Sequence, residues 1–206
     1  MLKLAIGIRI PDKSEIPATY DFEKIAFDRN NSKIEQGYSV KSSGSGFDYS
    51  DYFEVNIHID QLWDFFWSLT DEIIADDCYC VFGIKDSDYY LSSYFNKNFI
   101  KENLEKYRYS LTEDGFLAFG LACQNENGFN EILVESFKYI KIWSNKPDLI
   151  KKVLSFHHIE YLPDIAFIDQ FPVVSLSLAD EEKGIKHSLD IIDELCATFG
   201  VKKNDA

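Results

Sequence analysis

Apolar and polar positions alternate with period two over residues 2–10 and again over residues 52–59. In the second run Phe53, Val55, Ile57 and Ile59 fall on one side, and Glu54, Asn56 and His58 on the other. This alternation predicts strands, the second half-buried. Asp60 then fits a helix N-cap, and Leu62, Phe66, Leu69 and Ile73 recur at helical spacing, predicting a helix over 61–74. Trp63, Phe65 and Trp67 lie off that stripe. A helix apolar on so many sides is expected to be buried between layers or to present part of itself to a partner.

Further along, residues 78–84 (CYCVFGI) predict a central strand, and 96–109 a helix carrying Phe99, Ile100, Leu104 and Tyr107. Residues 20–27 read as a strand, 28–32 and 112–115 as turns, and 42–46 (SSGSG) as a flexible loop. Residues 116–124 and 131–143 predict two strands joined by the hairpin chemistry of Asn125-Glu-Asn-Gly128. Pro147 sits at the first turn of a helix running to about His157, where proline is tolerated. Residues 173–178 predict a short strand. Residues 188–199 predict a last helix with Leu189, Ile192, Leu195, Cys196 and Phe199 buried and Gly200 closing it; a frayed tail is expected over 201–206. The adjacent hairpins argue against a doubly wound parallel sheet. The expectation is an α+β fold, with mostly antiparallel sheet packed by three to four helices. At 206 residues it forms one domain or two closely packed lobes with a junction near 110–115.

Composition narrows the function. Hydrophobic residues make up 46% and aromatics 16%, enough for a core that needs no metal or disulfide staple. The net charge of −14 opposes direct binding to nucleic-acid phosphate or anionic membrane and favours a basic protein partner. No run approaches the roughly 18 apolar residues of a membrane span, and residues 1–10, carrying Arg9, read as a strand rather than a signal peptide. Cys78, Cys80, Cys123 and Cys196 all lie in apolar contexts, as reduced core thiols of a cytoplasmic protein do.

Candidate chemistry is sparse. Cys78-x-Cys80 lacks the second pair and the turn spacing of a zinc site, so no metal is expected. His58, His157, His158 and His187 form no ligand or catalytic pattern; His157 and His158 fall at a helix C-terminus. Ser42 to Gly46 lacks the lysine and helix of a phosphate loop, and no cofactor motif is present. Gly83 and Gly120, inside apolar strands, predict bulges or close packing. What remains is acid interleaved with tyrosine: Asp48, Tyr49, Asp51 and Tyr52 in one segment, Asp86, Asp88, Tyr89 and Tyr90 in another, and the pair Asp76-Asp77. Tyrosine is a rigid amphipathic anchor and carboxylates pair with arginine, so these residues are the candidate binding surface for a basic partner.

The acidity, the richness in Phe, Tyr, Ile and Asn, and the lack of a catalytic motif give the chain a resemblance in overall character to bacterial immunity proteins, which neutralise polymorphic or contact-dependent toxins. That resemblance implies a non-enzymatic cytoplasmic inhibitor of a cognate toxin domain, often a basic nuclease, and transfers no individual residue. Two alternatives stand beside it: an enzyme whose site assembles from dispersed carboxylate, Tyr and His residues, and an acidic mimic of nucleic acid.

Overall fold

The computed structural model describes residues 2–44, 46–126 and 128–202. In chain order the elements are β1 (Ile8–Arg9), α1 (Phe22–Asn30), β2 (Gly37–Ser42), β3 (Asp51–Asn56), α2 (Ile59–Ile73), β4 (Asp77–Ile84), β5 (Tyr90–Asn96), α3 (Lys97–Glu105) and α4 (Arg108–Glu113). There follow β6 (Leu117–Asn125), β7 (Gly128–Val134), β8 (Ile140–Ser144), α5 (Pro147–Phe156), β9 (Val174–Ser175), α6 (Leu178–Glu181) and α7 (Ser188–Phe199). Seven strands form one sheet in the order β2-β3-β8-β7-β6-β4-β5, with every neighbouring pair antiparallel; β1 and β9 pair separately. The fold is α+β with a mostly antiparallel sheet.

One sheet face is built for helices. Phe53 and Val55 of β3, Ile140 and Ile142 of β8, Ile132 and Val134 of β7, Phe119 and Leu121 of β6, and Cys80 and Phe82 of β4 all join the main core. α2 carries β3 across to β4, passing over β8, β7 and β6, and buries Leu62, Trp63, Phe65, Phe66, Trp67 and Leu69. The aromatic surplus of that helix is therefore interlayer packing: Trp63 and Phe66 each stand close to Phe119, with ring centroids 5.6 Å and 5.0 Å apart. α5 and α7 complete the layer, the latter placing Phe199 against Phe82 and Phe95. β4 and β6 pair directly across the chain position 110–115.

Two lysines finish α2. Lys97 Nζ donates to the carbonyls of Thr70 and Ile74 (3.4 Å and 3.2 Å), and Lys146 Nζ to that of Ile73 (2.9 Å), satisfying C-terminal acceptors with positive charge. Elsewhere a buried carboxylate ties the last third of the chain to the middle. Asp114, fully buried, accepts from the backbone N–H of Phe116 (2.8 Å) and Leu178 (2.8 Å) and from the hydroxyls of Ser188 (2.9 Å) and Ser177 (3.3 Å). Beside it, buried Lys138 donates to the carbonyls of Leu111 (2.9 Å) and Leu117 (2.6 Å). Burial pulls its ammonium down to about 7 against the opposing pull of Asp114 and Glu113. Gly7 and Gly115 meet backbone to backbone next to this node; a Cβ on Gly115 would lie 2.0 Å from the Gly7 carbonyl oxygen.

Several local expectations change. Residues 22–30 form a helix, because Asp21 caps it by accepting from Lys24 N–H (3.1 Å). The stretch 131–143 is two strands, turned at Lys138 (φ 60), whose side chain is held in the node just described. The helix expected over 96–109 is broken at Lys106–Tyr107 into α3 and α4. His58, not Asp60, precedes α2, and Asp60 instead pairs with Lys3 (3.0 Å). Strand pairing near the N-terminus is confined to Ile8–Arg9, and that after Pro172 to Val174–Ser175. Leu189 is 56% exposed, and Ile191 takes its place in the buried stripe of α7. That helix ends as expected, with Gly200 left-handed at φ 65. Ser45, Asn127 and residues 203–206, parts of the flexible loop, the hairpin turn and the frayed tail, lie outside the described residues.

Candidate functional site: the second face of the sheet

The other face of the sheet carries a small cluster of Val81, Ala122 and Leu133, with Tyr79, Phe129 and Trp143 packed partly buried around it, all of them sheet residues. Only one end of this face is covered, where Ile165 and Phe167 sit against Tyr139 and Asn56 Nδ2 donates to the Ala166 carbonyl (2.8 Å). The rest is open.

Register lines its side chains into rows. Lys41, Tyr52, Trp143, Glu131, Ala122, Tyr79 and Tyr94 succeed one another across β2, β3, β8, β7, β6, β4 and β5. Direct cross-strand neighbours of this kind are the closest side-chain pairs a sheet offers. Two aromatic pairs result: Tyr52 with Trp143, centroids 5.2 Å apart, and Tyr79 with Tyr94, 4.0 Å apart. Between them lie only Glu131 and the methyl group of Ala122, in a gap of three strand spacings, about 14 Å at the backbone. Along β7, Phe129 and Leu133 close the other two sides of Glu131.

The next row runs Glu54, Lys141, Leu133, Gly120, Val81 and Leu91. Its charges are matched: Lys141 pairs with Glu135 (2.7 Å) and Glu54 with Lys41 (3.6 Å). Tyr89 lies over Gly83, whose added Cβ would meet the Tyr89 ring at 2.5 Å, and its hydroxyl donates to Glu135 (2.7 Å). Gly120 is closed for a different reason: a Cβ there would strike the Ile132 carbonyl oxygen at 2.3 Å.

Glu131 is the exception among these charges. Among the described residues no donor reaches its carboxyl, and burial among the neighbouring side chains, with the charge of Glu135, pushes it up to about 7. A half-buried carboxylate flanked by aromatic rings and left without a cation is an acceptor site for a positive group from outside.

The residues expected from the sequence are distributed around this face. Tyr52 and Tyr89 lie on it. Asp48, Tyr49, Asp51, Asp76 and Asp77 fall on the rim at one end of the sheet. Asp48 anchors its loop there, its carbonyl accepting from Phe129 N–H (2.8 Å) and Asn145 Nδ2 (2.7 Å). Asp51 accepts from Ser50 (2.6 Å) and Ser42 (3.1 Å). Asp86 (φ 63) and Asp88 sit in the exposed β4–β5 turn at the opposite end, the length of β4 away, about 23 Å. Tyr90 turns to the helical side and stacks on Phe82 (5.7 Å). The two acidic segments are thus not one loop patch; the sheet face connects them.

Trp143, Glu131, Tyr79, Tyr94 and Phe129 were not singled out from the sequence. The signal was present in the alternation itself, since Tyr79 between Cys78 and Cys80, and Trp143 after Ile142, put aromatics on the side of the strand that faces away from the core. Both cysteines face the core; burial pushes Cys78 up to about 12 and Cys80 well above its ordinary value. The histidines lie off the open face: His58 before α2, His157 against Ser68 (3.1 Å) at the end of α5, His158 in the turn after it, and His187 capping α7. Two clefts are likewise elsewhere. One of 700 Å³ is lined by residues from Lys13 to Glu23, and one of 390 Å³ lies between Tyr107 and Ile185. Among the described residues no group of His, Cys, Asp and Glu gathers as a metal site, and no helix is long and apolar enough to cross a membrane. The chain has no match among protein families, curated proteins or solved structures.

Proposed function

We propose that this chain is a non-enzymatic binding protein that takes a basic protein partner on the open face of its sheet, and that the partner is a toxin domain neutralised in the cytoplasm in the manner of an immunity protein. One observation carries the reading: a row of half-exposed aromatic side chains crosses the sheet face away from the helices and brackets a carboxyl group that no described cation pairs. Rigid aromatics beside desolvated charge are the composition of interaction hot spots, and the net charge of −14 would steer a basic partner toward them.

A second reading draws on Glu131 as well. A carboxyl poised near neutrality suits a general base. Against it stands the setting, because the clefts lie away from Glu131 and an open sheet face does not enclose a substrate.

The reading expects a toxin domain encoded immediately upstream in the same genome, and the test is co-expression with it. The wild-type chain is expected to restore growth and block the toxin's activity in vitro. Trp143→Ala and Tyr79→Ala, checked for folding by circular dichroism, are each expected to weaken binding about 30-fold or more, the loss typical of an interface anchor. Undiminished neutralisation by both variants, or a neighbourhood of metabolic genes with no toxin, would overturn the reading.

A further inference from the structure

Building on that reading of the open face, we infer that the partner engages it through an arginine side chain, whose guanidinium docks on Glu131 between the Tyr52–Trp143 and Tyr79–Tyr94 pairs. The chemistry of the slot selects this group. Its floor is a carboxylate that no described residue pairs, half-buried beside the small side chain of Ala122. Its walls are Trp143 and Phe129, with Tyr79 beyond Ala122. Guanidinium is flat, weakly hydrated, stacks on aromatic faces and binds a carboxylate through two parallel N–H donors; ammonium is a compact, strongly hydrated charge that gains less from such walls.

The chain's own cations are already committed close by. Lys141 is held by Glu135, and Lys41 by Glu54. A lysine two residues along β8 from Trp143 thus belongs to a neighbouring carboxylate and leaves Glu131 for an incoming charge. Docking requires the ionised form, so a bound guanidinium displaces the carboxyl proton to solvent. The groups that face Glu131 are Glu135 just beyond the end of its strand, Lys141 and Trp143 on β8, Gln124 on β6, Tyr79 and Tyr94 on β4 and β5, Tyr52 and Glu54 on β3, and Tyr89, which also donates to Glu135. Burial holds the Tyr52, Tyr79 and Tyr89 hydroxyls above their ordinary range, so they stay neutral at physiological pH and leave Glu131 to set the response. With its carboxyl near 7, the ionised fraction climbs from about a tenth at pH 6 to about nine-tenths at pH 8, an expected tenfold gain in affinity.

The experiment titrates the full chain with N-acetyl-arginine amide and with its citrulline counterpart, which has the same shape without the charge. Binding is followed by tryptophan fluorescence and by NMR at low salt. The expected result is binding of arginine but not citrulline, about tenfold tighter at pH 8 than at pH 6, and at least tenfold weaker in Glu131→Gln. Trp143→Phe should lose the fluorescence response and keep the NMR one. Equal binding of arginine and citrulline, or arginine binding unchanged in Glu131→Gln, overturns the inference. The same variants on the toxin partner separate the two claims. Loss of partner binding in Trp143→Ala but not in Glu131→Gln leaves the open-face reading standing and removes the arginine site, whereas indifference to both removes the two together.

Discussion

Replacing Glu131 by glutamine should stabilise the protein, and by an amount that depends on pH. Glutamine keeps the shape of the protonated side chain, so the variant shows what the charge does. The carboxyl rises from its ordinary 4.5 to about 7 in the folded chain. A raised acid contributes no penalty below pH 4.5, an increasing one as pH climbs from 4.5 to 7, and a constant one above. The full shift corresponds to about 3.4 kcal/mol at 1.36 kcal/mol per pH unit. The group is partly open to water, which screens it, so about 1–2 kcal/mol is the expected gain at pH 8. At pH 5 the same linkage leaves about a quarter of that. Urea unfolding of both proteins at pH 5, 6, 7 and 8, followed by circular dichroism, measures the gap directly. A gap that does not change with pH, or a variant less stable than the wild type at pH 8, would show that Glu131 is already solvated or paired, and the slot described above would lose its basis.

Other outcomes follow from the buried charges. Asp114→Ala leaves two backbone N–H groups and two serine hydroxyls without their acceptor and should destabilise by about 3–5 kcal/mol, against about 1 kcal/mol for Ser188→Ala, both read from urea midpoints. Lys138 carries the opposite linkage to Glu131. Its ammonium is lowered from 10.5 to about 7, so the fold favours the neutral amine, is strained below pH 7 and gains stability as pH rises toward 10.5. Between pH 7 and 9 the wild type should gain about 2–3 kcal/mol relative to Lys138→Met, and parallel stability curves for the two proteins would refute that sign.

Much of the architecture was legible in the chain. The amphipathic stripe of α2, Pro147 opening α5 and Gly200 closing α7 are local signals, decided within one or two turns by periodicity and capping. The N-terminal half of the chain was less clear where signals compete: residues 20–27 hold apolar and aromatic side chains suited to a strand, while Asp21 supplies the N-cap of a helix. Likewise, nothing in residues 131–143 marks a turn by composition. The break at Lys138 rests on a contact with Leu111 and Leu117, residues far away in sequence.

For the candidate site the division is sharper. Alternation alone places Tyr52, Tyr79, Glu131 and Trp143 on the side of their strands away from the core, because side chains on a strand point to opposite faces in turn. It says nothing about which strands are neighbours. The order β3-β8-β7-β6-β4-β5 and its register are settled by long-range packing: the path of α2 over the sheet, the bulge between Tyr79 and Val81 where Ser92 Oγ accepts from Cys80 N–H (2.8 Å), and the closures at Gly120 and Lys138. A shift of one residue in any pairing would turn an aromatic of the row into the core. The sequence by itself therefore determined that this acidic chain has aromatics to spare on its strands; only the tertiary structure decided that they stand in one row, with Glu131, which no described residue pairs, between them.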